Sequence, residues 1–432
     1  MISATSARSG VLRNVMETYS AQMVRVAGAL LFGIWLTRLL APTARGYYGV
    51  ALTLATLATQ FGQGGLNTAN TYFAASDPRL RRTLLGNSTL LALIIAPCLI
   101  LVTFSVFRWA PGSLSLPPDC LALALCYIPF ALAYIFFQGL LLGTHEIRTY
   151  NLLEIANRWL PLAILTVCVV AGVVTSTTVL AAVVLGQIVA CVGGGIRVYR
   201  VSGGISWSPS LLRRMLRYGI RVHLGTIFSF LLFRADLLMV AHMRAPAEAG
   251  YYSLATSLAD YLILPATVAG SVLLPHLSTL PDTFEKFRLM RKWLLGMAVA
   301  TAPVFALGAI VAYPLVRWLF GIRYVPSVPG FLWLLPGVYF LGLACVSVQF
   351  ITSIGYKLSV PAAWFCILLV NLAGNVYAIP RYGFVGASIL SSICYLAASI
   401  VIFLIAFSHR RANLSHSQAE YLALRTAPEG GA

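Results

Sequence analysis

"APTARGYYGVA" occupies residues 41–51 and "APAEAGYYSLA" occupies residues 245–255. Displaced by 204 positions, Ala41, Pro42, Gly46, Tyr47, Tyr48 and Ala51 fall on Ala245, Pro246, Gly250, Tyr251, Tyr252 and Ala255. One connection written twice, almost half a chain apart, marks an internal repeat, and the offset becomes a ruler for comparing the two copies. The paired tyrosines are expected at the outer membrane interface, where an amphipathic ring is at home.

The medium follows from composition. With 432 residues, 59% hydrophobic, only 10% charged and a mean hydropathy of +0.85, the chain belongs in a bilayer. A helix needs roughly 20 apolar residues to cross the hydrocarbon core. On that measure the sequence predicts twelve spans: 21–40, 48–75, 84–107, 121–143, 152–174, 178–199, 218–242, 249–274, 293–316, 328–353, 358–378 and 384–407. The basic N-terminal stretch before the first span could imitate a secretory signal, but its long apolar part and the span that follows at once read as a retained helix.

A net charge of +18 invites a nucleic-acid reading, which topology makes unnecessary. Of the 30 Lys and Arg residues, 21 fall on the even-numbered connections and the two termini, against 7 on the odd connections and span edges. Retention of basic loops in the cytoplasm produces such a bias, so both termini are expected there. The eight cysteines lie in or beside apolar spans without metal-type spacing and read as small hydrophobes.

The offset lays span 7 on span 1 and span 8 on span 2, giving two halves of six. The expected division is an N-terminal six-helix bundle over 1–200, a basic cytoplasmic linker over 201–216, a C-terminal six-helix bundle over 217–407 and a polar tail over 408–432 without fixed structure. Six crossings return the chain to its starting side, so the halves are parallel repeats. The fold class is an all-α polytopic membrane protein, twelve transmembrane helices in two parallel six-helix bundles around a central cavity.

Polar residues at helical spacing are the informative ones inside a bilayer. In span 2, Thr53, Thr56, Gln60, Gln63, Asn67 and Asn70 step by threes and fours, a stripe on one helix face. The offset gives Ser257, Asp260, Leu264, Thr267 and Ser271 opposite the first five. Such a stripe either bonds packed helices together or lines a solvated cavity, and three carboxamides favour the cavity. Span 1 carries Asn14, Thr18, Gln22 and Arg25; span 7 carries Thr226, Ser229, Arg234 and Asp236, the last two on roughly opposite faces. Candidate cavity residues are therefore Arg25, Gln60, Gln63, Asn67, Asn70, Arg234, Asp236, Asp260 and Thr267. Glu154, Asn157 and Arg158 read as the solvated start of span 5, and Asn371 with Asn375 either extends the cavity or bonds across helices. No phosphate-binding loop, HExxH, CxxC or triad spacing is present, and the short outer connections leave no room for a soluble catalytic domain.

"TRLLAPTARGYYGVALTLATLATQFGQGGL", "FRADLLMVAHMRAPAEAGYYSLATSLADYLILPATVAGSVLLPHLSTL" and "PRYGFVGASILSS" together resemble the polysaccharide and O-antigen flippases, a branch of the multidrug/oligosaccharidyl-lipid/polysaccharide exporter superfamily. The shared features are an arginine and proline before a glycine-tyrosine turn (Arg38, Pro42), an aspartate in span 7 (Asp236), a proline-ended span 8 and a glycine-rich approach to span 12. The resemblance implies two bundles around a cavity that opens alternately to each side of a bacterial inner membrane. It implies a lipid-linked oligosaccharide as substrate, no cofactor, and contact with proteins of polysaccharide polymerisation or export. Carboxamides and hydroxyls suit sugar hydroxyls, and arginines suit a pyrophosphate. Twelve spans rather than fourteen argue against the lipid II flippase branch. Two other readings stand beside it: a cation-coupled drug exporter, with Asp236 and Asp260 as proton or sodium sites, and a membrane enzyme of the same pathway, which the short outer loops disfavour.

Overall fold

The computed structural model describes residues 2–109, 116–355 and 358–426, and every regular element among them is helical. In order these are α1 (Ile2–Leu39), α2 (Pro42–Gly62), α3 (Leu66–Ser76), α4 (Arg81–Trp109), α5 (Pro118–Gly143), α6 (Ile147–Val170), α7 (Ser176–Ser202), α8 (Pro209–Met243), α9 (Pro246–Thr279), α10 (Thr283–Leu315), α11 (Val328–Ser353) and α12 (Ser359–Thr426). A π turn, Val316–Phe320, and a 3-10 turn, Ile322–Ser327, join α10 to α11.

Local chemistry sets several boundaries. Pro42 opens α2 and Pro209 opens α8, where a helix has no use for the missing N–H. Thr175 caps α7 reciprocally: its hydroxyl accepts from the Thr178 N–H at 3.2 Å, and the Thr178 hydroxyl accepts from the Thr175 N–H at 2.8 Å.

Among the described residues, ten helices are long and apolar enough to cross a membrane, where the sequence predicts twelve spans. The difference has two local causes. Span 2 is divided into α2 and the 11-residue α3, neither of which qualifies alone. Spans 11 and 12 lie in one element, α12, in which Gly383 leaves helical geometry (φ 61°, ψ −152°) at a kink. Beyond Ser408, where the sequence predicts no fixed structure, α12 continues to Thr426. Alanine and leucine, strong helix formers, recur in that stretch.

The chain forms two compact units. The first takes in the chain up to Ser253 together with Val316–Pro326. Its core is built where α3, α4, α5, α7 and the start of α8 meet, with Leu66, Leu84, Leu132, Phe136, Leu140 and Met215 fully buried. Lipid is as apolar as leucine, so membrane helices associate through close packing rather than through escape from water. Gly139 illustrates this, since a Cβ there would stand 2.4 Å from the Asn67 carbonyl oxygen. The second unit comprises Leu254–Leu315 and the chain from Ser327 onward. In it the Gly337 N–H donates to the Ser392 hydroxyl at 2.7 Å, and Phe287 meets Phe350 and Phe407 edge-on. Most of the apolar surface of α4 and α10 is left outside the packed core, the surface a lipid solvent requires.

Candidate functional site

The repeated connection is a close helix contact within the first unit. A Cβ on Gly46 would lie 2.1 Å from the carbonyl oxygen of Pro246, and one on Gly250 would lie 2.0 Å from that of Pro42. Equivalent residues of the two copies therefore meet reciprocally, as across a local two-fold axis. One turn on, Gly49 faces Ser253, its partner at the same offset, with a Cβ-to-hydroxyl spacing of 2.9 Å.

This crossing corrects the expectation that all four tyrosines sit at the membrane interface. Tyr252 is fully buried and Tyr48 is 8% exposed, because backbones in contact carry neighbouring side chains inward. The Tyr252 hydroxyl donates to Asp236 Oδ2 at 2.6 Å, giving the buried aspartate of α8 a partner from the second copy of the motif.

The α10–α11 connection is fastened to the same region. Arg38 donates through Nε to the Leu319 carbonyl at 2.8 Å and through Nη2 to that of Trp318. The Tyr324 hydroxyl donates to the Leu40 carbonyl at 3.0 Å. Arg45, buried, donates to the Thr37 hydroxyl and lies 5.9 Å from the centre of the Tyr324 ring.

The six-residue stripe does not run along one helix. Gly64 (φ 51°) and Gly65 (φ 72°) adopt left-handed backbone, ending α2 and re-aiming the chain into α3. Gly65 also needs its missing side chain for contact, since a Cβ there would be 2.1 Å from the Gly219 carbonyl of α8. The predicted face is thus divided. Gln63 donates to Gln60 Oε1 at 2.6 Å on α2. Asn70, fully buried, donates to the Ser88 hydroxyl at 2.8 Å and to the Phe136 carbonyl at 3.2 Å, joining α3 to α4 and α5. Around the break, Gln60 Nε2, Asn67 Oδ1 and His223 Nε2 are buried with no hydrogen-bond partner among the described residues. His223 lies one turn beyond Gly219 on α8, on the side that meets the break.

Arg25 finds a partner that the sequence reading set aside. Glu154 is two turns inside α6, which begins at Ile147, so it is not the solvated helix start expected for it. Arg25 Nη1 donates to Glu154 Oε2 at 2.8 Å. The other carboxylate oxygen accepts from the Tyr134 hydroxyl at 3.0 Å and from Gln138 Nε2 at 2.5 Å. Arg25 and Glu154 side chains remain 18% and 15% exposed. Trp159 donates to the Val24 carbonyl at 3.0 Å and packs over Gly28, holding α1 against α6 beside the pair. Farther along, Asn157 and Tyr127 both donate to Gln187 Oε1, at 3.1 and 3.3 Å.

Tyr134, Gln138 and Gln187 were missed as site residues, though a signal was present. Tyr127, Tyr134 and Gln138 are spaced by seven and four on α5, and Gln187 interrupts an otherwise apolar or small stretch from Val179 to Ile196.

Arg234 is half-buried on α8 in the first unit. In the second unit, Asp260, Thr267 and Ser271 are exposed on one face of α9, the two hydroxyls bonded back to their own helix at Leu264 and Val268. Asn371 and Asn375 are fully buried and bonded to each other at 3.1 Å, with Ser391 at 3.5 Å, so packing is the reading they fit. The side chains of Asn14 and Thr18 lie outside those described. Among the described residues no three His, Cys, Asp or Glu side chains gather as metal ligands would.

Known proteins share this architecture. The chain is 16% identical to a multidrug resistance MATE family transporter of the MOP superfamily in an inward-facing conformation, with a TM-score of 0.73 over 92% of this chain and 98% of that one. It is 12% identical to the lipid II flippase MurJ in an inward closed conformation, also with a TM-score of 0.73, over 90% and 87%. In sequence it is 26% identical over 202 residues to a protein of Shigella flexneri described as an O-antigen transporter, covering 46% of this chain and 48% of that one. The match thus spans about half the length of that curated relative. The family model for polysaccharide biosynthesis proteins matches residues 11–280, more than half of the sequence and both copies of the repeated turn, and the chain belongs to that family.

Proposed function

We propose that the protein is a flippase that carries an isoprenoid-pyrophosphate-linked oligosaccharide from the cytoplasmic to the outer leaflet of a bacterial inner membrane by alternating access. Family membership is the observation that carries this reading. The polar inventory supports it. Buried polar atoms without partners among the described residues at the α2–α3 break suit sugar hydroxyls or the waters that replace them, and Arg25 and Arg234 suit an anionic diphosphate. Asp260, Thr267 and Ser271 give α9 an exposed polar face, which is costly in a membrane helix unless it meets water or a polar ligand.

The twelve-span topology belongs to this proposal. The 50-residue stretch Ser359–Ser408 would reach about 75 Å as one helix, far beyond a ~30 Å core, so the kink at Gly383 is read as the turn between two crossings. With α2 and α3 as one interrupted crossing, the halves become parallel six-helix bundles with both termini cytoplasmic. Contact with polymerisation or export proteins follows from the same reading. The second reading is a cation-coupled exporter of small molecules, with Asp236 and Asp260 as the coupling carboxylates.

The test is replacement of Arg234 or Asp260 by alanine in cells that depend on the protein for surface polysaccharide. Loss of polysaccharide at normal protein levels is expected, whereas normal polysaccharide in both variants removes these residues from the substrate path. Drug resistance conferred by wild-type expression, without any polysaccharide phenotype, favours the exporter.

A further inference from the structure

We infer that Glu154 is a built-in competitor for the diphosphate of the substrate, holding Arg25 when the site is empty and yielding it when the substrate anion arrives. The inference rests on the flippase reading given above. It begins with hydrogen-bond capacity. A guanidinium offers five N–H donors in a planar fork, and the pair with Glu154 engages Nη1, while Arg25 Nε is buried with no hydrogen-bond partner among the described residues. Glu154, on α6, gathers three donors from two neighbouring helices: Arg25 of α1, and Tyr134 and Gln138 of α5.

Three donors converging on one pair of oxygens make a cradle for an anion, and the anion now in it belongs to the protein. A diphosphate carries more charge and more acceptor oxygens than a carboxylate, and pairs with arginine in the same planar geometry. It can therefore take Arg25 while Tyr134 and Gln138 keep Glu154 hydrogen-bonded. The partial exposure of both side chains leaves the pair open to exchange.

Such a competitor has a use in transport. An unpaired arginine in a membrane protein is costly, and one that grips a diphosphate without competition releases it slowly. Glu154 lowers both penalties, keeping the empty protein neutral at this point and assisting release on the far side. Glu154 is thus a positioning residue that acts through Arg25.

The experiment measures binding of farnesyl diphosphate and of farnesol to the full-length protein in nanodiscs. Wild type is expected to prefer the diphosphate. Glu154→Gln, nearly the same shape without the charge, should tighten diphosphate binding about tenfold, at the low end of what close charge pairs contribute across interfaces. Glu154→Asp should stay near wild type, and Arg25→Gln should weaken binding with or without Glu154→Gln. A purely structural role makes Glu154→Gln bind more weakly or leaves it unchanged, and either result overturns the competitor role while the flippase reading stands. Equal binding of farnesol and farnesyl diphosphate by wild type instead removes the flippase reading, and the inference with it.

Discussion

Replacing Gly250 by alanine puts one methyl group into a crowded point of the first unit. The added carbon would lie 2.0 Å from the Pro42 carbonyl oxygen, whereas ordinary contact begins near 3.4 Å, so the two segments must part by about 1.4 Å. The obstacle is backbone and cannot swing aside. Overpacking of this kind costs about 1–3 kcal/mol, against which alanine returns about 0.5–1 kcal/mol of helix propensity. Net destabilisation is expected, read as a lower Tm of the purified protein in detergent. Gly296→Ala in α10 is the control, because a Cβ there meets nothing within 4 Å among the described residues; it should hold or raise Tm. Gly46→Ala should resemble Gly250→Ala, its Cβ lying 2.1 Å from the Pro246 carbonyl oxygen. The double variant should lose less than the summed effects, since one displacement relieves both clashes. If both alanines raise Tm as the control does, the crossing is not in contact and the reasoning fails.

Other outcomes follow from the same geometry. Asn70→Ala removes the buried carboxamide that bonds the Ser88 hydroxyl and the Phe136 carbonyl, and should lower stability by about 1–3 kcal/mol, measured as earlier thermal aggregation. Tyr324→Phe removes the bond to the Leu40 carbonyl; hydrogen exchange across residues 316–326 should then rise roughly fivefold, as about 1 kcal/mol of lost protection requires. Gly64→Ala and Gly65→Ala both demand left-handed backbone from alanine, but Gly65→Ala also clashes with the Gly219 carbonyl, so it should reduce folded yield in the membrane more than Gly64→Ala, whose Cβ meets open space among the described residues.

How much of this was legible in the sequence depends on which physical rule governed each residue. Hydropathy located the helices because a bilayer admits few alternatives for an uncapped backbone. The repeated "AP..GYY" supplied the offset, but its tyrosines were assigned by solvent preference, whereas Gly46 and Gly250 decided their burial through a contact between segments distant in sequence. The stripe from Thr53 to Asn70 kept helical spacing through Gly64 and Gly65, and periodicity cannot register a break that preserves count while changing direction. Glu154 was weighed against the helix end expected nearby; its true partner, Arg25, is 129 residues away, a pairing that no local pattern encodes. Asn70 was read as a cavity residue and Asn371 was left open between cavity and packing for the same reason, since a carboxamide that joins helices has the same spacing as one that faces water.

The most direct measurement of function follows the lipid-linked oligosaccharide itself. In cells lacking the protein, sidedness of the lipid-linked repeat unit can be read by its accessibility to an enzyme that trims sugars only from the outer face. For a flippase, the repeat unit accumulates on the cytoplasmic side and returns to the outer face when the wild-type gene is restored. Unchanged accessibility in the deletion strain, with no other transporter of the family present, contradicts that assignment.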